Sequence, residues 1–187
     1  MGTYEFTLIL EGPDVLGDEA VDALFESGCG DATFGEVDGS QYADFTRRAR
    51  SLADAIGSAK RAIESAVPGV RVIRVEPEDL VTAADIADRT GRTRESVRLL
   101  IAGERGPGRF PPPISHLRSR GRIWKWADVA RWFLTELGEE HPSFKEADFI
   151  SALNGALEVR RMADRIERAS EREEVARLVR EDAALYG

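Results

Sequence analysis

Strand-type and helix-type hydrophobic patterns alternate through residues 1–76, and their order leaves few possible folds. Apolar and polar side chains alternate in four short runs, and apolar residues recur at helical spacing in two segments between them. The predicted strands span residues 4–10, 32–37, 41–46 and 70–75, and the predicted helices begin at Asp18 and Ser51. Asp38-Gly39 predicts a tight hairpin, because both positions tolerate positive φ. The order β-α-β-β-α-β predicts a ferredoxin-like sandwich, with two helices on one face of a four-stranded antiparallel sheet.

Charge is divided unevenly along the chain. The 187 residues include 26 basic and 34 acidic side chains, which gives a net charge of −8. Residues 1–80 have a net charge of −9 and residues 138–187 a net charge of −4, whereas residues 81–137 have a net charge of +5. An acidic protein repels nucleic acid, but a basic segment between acidic flanks indicates where an anionic partner would bind.

Several classes of protein are disfavoured by what the sequence lacks. No apolar run is long enough for a membrane helix, and the first residues do not resemble a signal peptide, so we expect a soluble cytoplasmic protein. The single cysteine, Cys29, cannot form an internal disulfide and has no cysteine or histidine nearby in sequence to share a metal site. No nucleophile, metal-ligand or phosphate-loop pattern is present, so we expect neither an enzyme nor a bound metal or cofactor.

Residues 82–100 place capping, small and apolar side chains at the offsets of a helix-turn-helix. This motif needs a small residue where its helices cross, a residue that tolerates positive φ at the sharp turn, and apolar residues on the inner face of the second helix. Ala87 meets the first requirement, Gly91 meets the second, and Val97 and Leu100 meet the third. We therefore predict a first helix capped by Thr82 and a second helix over residues 93–102.

Three segments within residues 80–137 together resemble a known family. They are 84–93 (ADIADRTGRT), 110–114 (FPPPI) and 123–132 (IWKWADVARW). This combination is similar to the winged helix-turn-helix of phage excisionases, AlpA-type regulators and MerR-type activators. The resemblance implies that the second helix enters the major groove of DNA, and that a β-hairpin wing follows it and touches the backbone or the minor groove. The glycine-rich loop 103–109 is longer than in the short AlpA-type pattern.

The second helix and the predicted wing supply the candidate DNA contacts. Arginine pairs bidentately with guanine and glutamate accepts from cytosine, so side chains on the outer face of helix 93–102 suit base readout. The helix N-terminus favours phosphate. The wing is predicted over residues 114–124, with arginines near its tip placed to contact phosphates or a narrow minor groove. The candidate DNA-binding residues are Thr82, Arg92, Thr93, Arg94, Glu95, Ser96, Arg98, Arg118, Arg120 and Arg122.

Two further patterns concern packing. Trp124, Trp126 and Trp132 could stack on bases, but the helical spacing of Trp132 with its apolar neighbours favours core packing between the wing and the helix that follows. The C-terminal segment 142–187 has a helical pattern, with an apolar stripe at Phe149, Leu153, Ala156, Met162 and Ile166.

Taken together, the patterns predict an α+β protein with three parts. These are a ferredoxin-like domain at 1–76 for dimerisation or sensing, a winged helix-turn-helix at 80–137, and a helical region at 142–187. We expect a sequence-specific regulator of transcription, from a bacterium or a phage, that binds double-stranded DNA as a homodimer. The alternative is an adaptor or antitoxin whose acidic terminal domains bind a protein partner.

Overall fold

Two hydrophobic cores organise the chain, and one long helix contributes to both. The computed structural model describes residues 1–77, 79–115, 121–163 and 165–184. In these ranges the chain forms an α+β structure with a four-stranded antiparallel sheet, a two-stranded sheet and seven helices. The first core lies against the larger sheet, and the second lies among the helices that follow it.

The first six elements build the larger sheet and its helices. They are β1 (Gly2–Glu11), α1 (Asp18–Glu26), β2 (Ala32–Val37), β3 (Ser40–Ala49), α2 (Leu52–Ala66) and β4 (Arg71–Glu76). The strand order across the sheet is β2-β3-β1-β4, and all neighbours are antiparallel. The predicted succession of strands and helices is confirmed. β3 continues past its predicted end, because Arg47 and Ala49 pair with Tyr4 and Gly2 of β1.

The turn between β2 and β3 has the predicted geometry. Asp38 and Gly39 have φ angles of 51° and 76°. Both values lie in the left-handed region that a two-residue hairpin of type I′ requires. The turn fixes the register of the two strands, which places Phe34 opposite Ala43 and Ala32 opposite Phe45.

A buried arginine holds the inner face of β3. Arg47 is 8% exposed. Its Nε and Nη2 atoms donate to the Asp31 carboxylate at 2.8 and 2.7 Å, Nη2 also donates to the Gly28 carbonyl, and Nη1 donates to Ser58. The hydrogen bond from Arg47 lowers the pKa of Asp31. The charge is therefore buried with its partners, which avoids the cost of an isolated ion.

The second core is built by five further elements. They are β5 (Leu80–Val81), α3 (Ala83–Thr90), α4 (Arg94–Ala102), β6 (Trp124–Lys125) and α5 (Trp126–Glu136). β5 pairs antiparallel with β6, so that Val81 lies opposite Trp124. Trp124, Trp126 and Trp132 are each no more than 5% exposed, which confirms the prediction that they pack in the core.

The last two helices are α6 (Pro142–Ala163) and α7 (Ala169–Ala184). α6 joins the two cores: Phe144 and Ala147 belong to the second core, and Ile150 and Leu157 belong to the first. No helix in the described ranges combines the length and the apolar character needed to cross a lipid bilayer.

The apolar stripe predicted for α6 is displaced by one residue. Phe149 and Leu153 are only half-buried, and Ala156 is exposed. The most deeply buried positions are Ile150, Asn154 and Leu157. The prediction missed this face because a polar residue, Asn154, occupies its centre.

Asn154 binds the open edge of the larger sheet. Its Nδ2 donates to the Val75 carbonyl at 2.9 Å, and the Val75 N–H donates to its Oδ1 at 2.8 Å. Because β4 is an edge strand, these backbone groups would otherwise lack a partner once α6 covers them. The amide thus takes the place of a neighbouring strand for one residue.

Glu64 of α2 forms a second attachment for α6. Its carboxylate accepts hydrogen bonds from Arg160 at 2.6 Å, from Lys60 at 2.7 Å and from the Val72 N–H at 3.0 Å. Burial by itself would raise the pKa of Glu64, but these three donors outweigh it and lower the pKa to about 2 from 4.5. The ionised carboxylate therefore stabilises the fold at neutral pH, and its contribution is lost as the pH falls from 4.5 towards about 2.

The substitution Asn154→Leu tests the attachment at the sheet edge. Leucine has a similar size but leaves the Val75 N–H and carbonyl without partners, so we expect the free energy of unfolding to fall by about 1–3 kcal/mol. Urea denaturation followed by circular dichroism measures it. The control Ala152→Leu introduces the same side chain at an exposed position of the same helix and should stay within about 0.5 kcal/mol of the parent. Equal stability of the two variants would contradict the assignment.

Candidate nucleic-acid interface

Thr82 caps α3, the first of the two short helices that the turn at Gly91 joins. The Asp85 N–H donates to the Thr82 hydroxyl at 3.3 Å, and the Thr82 N–H donates to the Asp85 carboxylate at 2.8 Å, which is a complete capping box. The Thr82 N–H is the main cause of the lowered pKa of Asp85. The predicted cap is confirmed, and the exposed Thr82 side chain is thereby fixed at the N-terminus of α3.

The turn between α3 and α4 depends on Gly91. Gly91 has φ of 64° and ψ of 22°, in the left-handed region, and it ends α3. The next N–H, that of Arg92, donates to the Ala87 carbonyl at 2.9 Å. Ala87 itself is buried where the small core of the segment lies. Gly91 therefore has the positive φ that the sequence predicts for the turn, and Ala87 is buried.

α4 has one face in the core and one face in solvent. Thr93 caps it, with its hydroxyl accepting from the Ser96 N–H at 3.1 Å. Val97 and Leu100 are buried, as predicted. The outer face carries Arg94, Glu95 and Arg98, all exposed, with Ser96 half-buried beside them. Four of the predicted DNA-binding residues therefore share the first two turns of one helix.

Arg98 is held by carboxylates on its own surface. Its Nε and Nη2 atoms each donate to Glu95 at 2.9 Å, and Nη2 lies 3.5 Å from Glu104. The hydrogen bonds within this pair lower the pKa of Glu95 and raise the pKa of Arg98. The pair is exposed, so it orients the guanidinium while leaving it accessible to an exchange of partners.

A groove of about 460 Å³ brings three predicted site residues together. Thr82 of the cap, Arg98 of α4 and Arg122 line it, and Trp124 lies at its wall. The Arg122 guanidinium carbon lies 5.5 Å from the centroid of the Trp124 ring, which is the distance of a cation–π contact. The groove thus places positive charge from two distant parts of the sequence on one surface.

Only the base of the predicted wing lies in the described residues. The Ile114 N–H donates to the Ile123 carbonyl at 2.8 Å, and Ser115 and Ile123 form an antiparallel bridge. Arg118 and Arg120, predicted near the tip, lie outside the described residues. Within those residues, Arg122 is therefore the one predicted wing arginine that can be placed.

Arg92 is engaged elsewhere in the protein. Its guanidinium forms an ion pair with Glu139, which follows α5, and lies 5.4 Å from the centroid of the Phe133 ring. This arrangement links the turn between α3 and α4 to the connection between α5 and α6. The sequence offered no signal for this contact, because its partners are 47 positions apart.

The glycine-rich loop after α4 is anchored by two tryptophans. The indole N–H of Trp132 donates to the Gly108 carbonyl at 3.1 Å, and that of Trp124 donates to the Pro111 carbonyl at 3.0 Å. Phe110 packs against both rings, with centroid distances of 4.9 Å to Trp132 and 6.3 Å to Trp124. The loop is therefore fastened to the second core.

Comparison with known proteins identifies no relative of this chain. No family model matches the sequence, and no curated protein and no solved structure is similar to it. In the described ranges, no group of three or more histidine, cysteine, aspartate or glutamate side chains could hold a metal ion. The residues and their geometry are therefore the basis for a functional proposal.

The substitution Gly91→Ala tests the left-handed turn. A Cβ at this position meets no atom within 4 Å, so any loss of stability comes from the positive φ itself. We expect the free energy of unfolding to fall by about 1–2 kcal/mol. The same substitution at Gly155, inside α6 and equally open, is the matched control and should raise it by about 0.5–1 kcal/mol. Opposite signs in urea denaturation are expected, and a loss at both sites would count against the turn.

Proposed function

We propose that residues 80–137 form a winged helix-turn-helix that binds double-stranded DNA sequence-specifically, and that the protein regulates transcription. The observation that carries the proposal is the groove that Arg98 of α4 and Arg122 both line. The net charge of +5 in residues 81–137, within a chain of net charge −8, supports an anionic partner at this surface.

In this proposal α4 enters the major groove. Arg98 would exchange the carboxylates that hold it for the O6 and N7 atoms of a guanine, and Glu95 would accept from a cytosine N4 amino group. Arg94 and Ser96 would contact the neighbouring base edges. Thr93 and the backbone N–H groups at the start of α4 would bind a phosphate.

The wing would position the module on the DNA backbone. Arg122, which packs on the Trp124 ring, would contact phosphate, and we expect Arg118 and Arg120 to do the same from the tip. Thr82 lines the same groove and would add a hydroxyl contact. Such contacts set the orientation of α4 but do not read the sequence.

The remaining parts would supply dimerisation or sensing. The order β-α-β-β-α-β and the strand order β2-β3-β1-β4 support a ferredoxin-like sandwich at 1–76. In α7, Leu178 and Val179 are about half-exposed although apolar, which supports pairing with a second copy of the chain. A homodimer would read two half-sites about one DNA turn apart.

A second candidate function is an adaptor or antitoxin that binds a protein. One observation favours it: Phe25 and Val21 of α1 are 72% and 44% exposed on the acidic N-terminal part. Apolar residues exposed side by side are typical of a protein-binding surface. A stoichiometric protein partner, with no duplex preferred over others, would favour this function over DNA binding.

The substitution Arg98→Ala tests base readout. Duplexes selected from a random library by the full-length chain provide the target, and fluorescence anisotropy at increasing salt gives the dissociation constant. We expect the parent affinity to fall steeply with salt, because bound arginines displace counterions. Arg98→Ala should weaken binding to the selected duplex about tenfold or more and relax its preference at one base position.

Arg50→Ala is the matched control for that experiment. Arg50 is also exposed and also pairs with a carboxylate one turn away, Asp54, at 3.2 Å, but it lies in the N-terminal part. The substitution Arg50→Ala should leave the affinity for the selected duplex within about twofold of that of the parent. Equal losses in the two variants, or binding that does not change with salt, would contradict the proposal.

The substitution Glu104→Gln tests the competition for Arg98. Removing this carboxylate, 3.5 Å from the Arg98 guanidinium, lowers the cost of transferring the guanidinium to DNA and reduces repulsion. We expect the affinity for the selected duplex to rise about two- to threefold. Glu36→Gln removes the same charge from an exposed position of β2 and should have less effect. Equal gains would show that only net charge matters.

A further inference from the structure

A cavity of about 280 Å³ lies where the two hydrophobic cores meet. Phe6, Leu52 and Ile150 of its lining belong to the first core, and Trp126 and Ala147 belong to the second. All five side chains are buried. Apolar concavities at the junction of two structural units are common sites for small ligands, which a few polar groups then orient.

The polar part of the lining is anionic. Glu5, Glu76, Asp79 and Glu146 contribute carboxylates and His141 contributes an imidazole, and no described lysine or arginine is among the lining residues. The cavity therefore combines an apolar interior with negative charge. This combination disfavours anions and gives a neutral apolar ligand no charged partner.

Two of the four carboxylates already have partners. Glu76 accepts from Arg74 at 3.1 Å. Asp79 accepts from the Ser151 hydroxyl at 3.0 Å and lies 3.8 Å from the Lys125 Nζ, with which it forms an ion pair. The carboxylates of Glu5 and Glu146 form no hydrogen bond or ion pair with any side chain or backbone group in the described part of the chain. Glu146 is half-buried, so its charge is partly removed from water without a compensating cation.

The two unpaired carboxylates reach the cavity from different elements. Glu5 of β1 is exposed and Glu146 of α6 is half-buried, and both residues line the cavity together with its buried apolar wall. The Trp126 ring already has the guanidinium carbon of Arg89 5.1 Å from its centroid. An aromatic ring and two carboxylates are groups that stabilise a bound cation.

We propose that this cavity binds a small organic cation, namely a protonated amine on a compact apolar body. The ammonium group donates to Glu5 and Glu146, and the apolar body packs against Phe6, Trp126 and Ile150. A volume of about 280 Å³ holds one ring with a short chain but not a drug-sized molecule. The site is separate from the proposed DNA interface and does not depend on it.

Three probes of similar size but different charge test the proposal. Benzylamine, benzyl alcohol and benzoate are each titrated calorimetrically into the full-length protein at pH 7 without DNA. We expect benzylamine to bind about tenfold more tightly than benzyl alcohol, because only the ammonium forms charge-assisted hydrogen bonds. Benzoate should give no measurable binding, because its carboxylate would be added to four others.

Substitutions in the lining distinguish the contribution of the carboxylate charge to binding from the contribution of the cavity volume. Glu146→Gln should weaken benzylamine about tenfold and leave benzyl alcohol unchanged. Glu158→Gln, about three turns further along α6, is the matched control and should change neither. Ala147→Leu fills the cavity and should weaken both probes at least tenfold, with a cooperative thermal unfolding transition showing that the variant is folded.

Three results would overturn the proposal. They are equal affinities for benzylamine and benzyl alcohol, a benzylamine affinity that is unchanged in both Glu5→Gln and Glu146→Gln, and the absence of binding by benzylamine to the parent protein. DNA takes no part in these titrations. A negative result would therefore contradict the cation site without bearing on the proposed DNA binding, and a failure to bind DNA would not bear on the cation site.

Discussion

The pair of hydrogen bonds between Asn154 and the backbone of Val75 holds the architecture together. They fix α6 along the edge of β4. Further along the same helix, Arg160 binds Glu64 and Arg161 binds Glu11. The opposite end of α6 supplies Phe144 to the second core. Because α6 is attached to both cores, it holds the larger sheet and the segment of α3, α4 and α5 in one arrangement, and the cavity between the two cores follows from it.

Features encoded within a few residues could be predicted from the sequence. The turn at Asp38-Gly39, the Thr82 cap and the reversal at Gly91 each depend on local geometry that few residue types can adopt. Contacts between distant positions could not be predicted: Asn154 and Val75 are 79 positions apart. The stripe predicted on α6 is displaced by one residue for the same reason, since the burial of this helix is set by two separate cores and by a polar residue at the centre of the contact.

The candidate interface likewise has features that the sequence predicts and contacts that depend on the tertiary structure. The helical period of α4 alone predicts that Arg94, Glu95 and Arg98 project away from Val97 and Leu100, and they do. The period does not reveal that Arg98 is paired with Glu95 and Glu104, or that Arg92 is engaged with Glu139. Such pairings depend on how the loop after α4 and the end of α5 approach the motif, which only the tertiary structure determines.

The carboxylates around Arg98 bear on specificity in the proposed complex. A free surface arginine gains energy from any phosphate, whereas an arginine already paired with Glu95 must give up two hydrogen bonds before it gains new ones. A single solvated phosphate contact offsets little of that loss, but the bidentate bonds to guanine in a groove can exceed it. In the proposed complex, the acidic flanks on either side would act in the same direction by repelling DNA elsewhere on the protein. If the protein binds DNA as proposed, the negative charge of the chain would therefore weaken non-specific binding rather than strengthen specific binding.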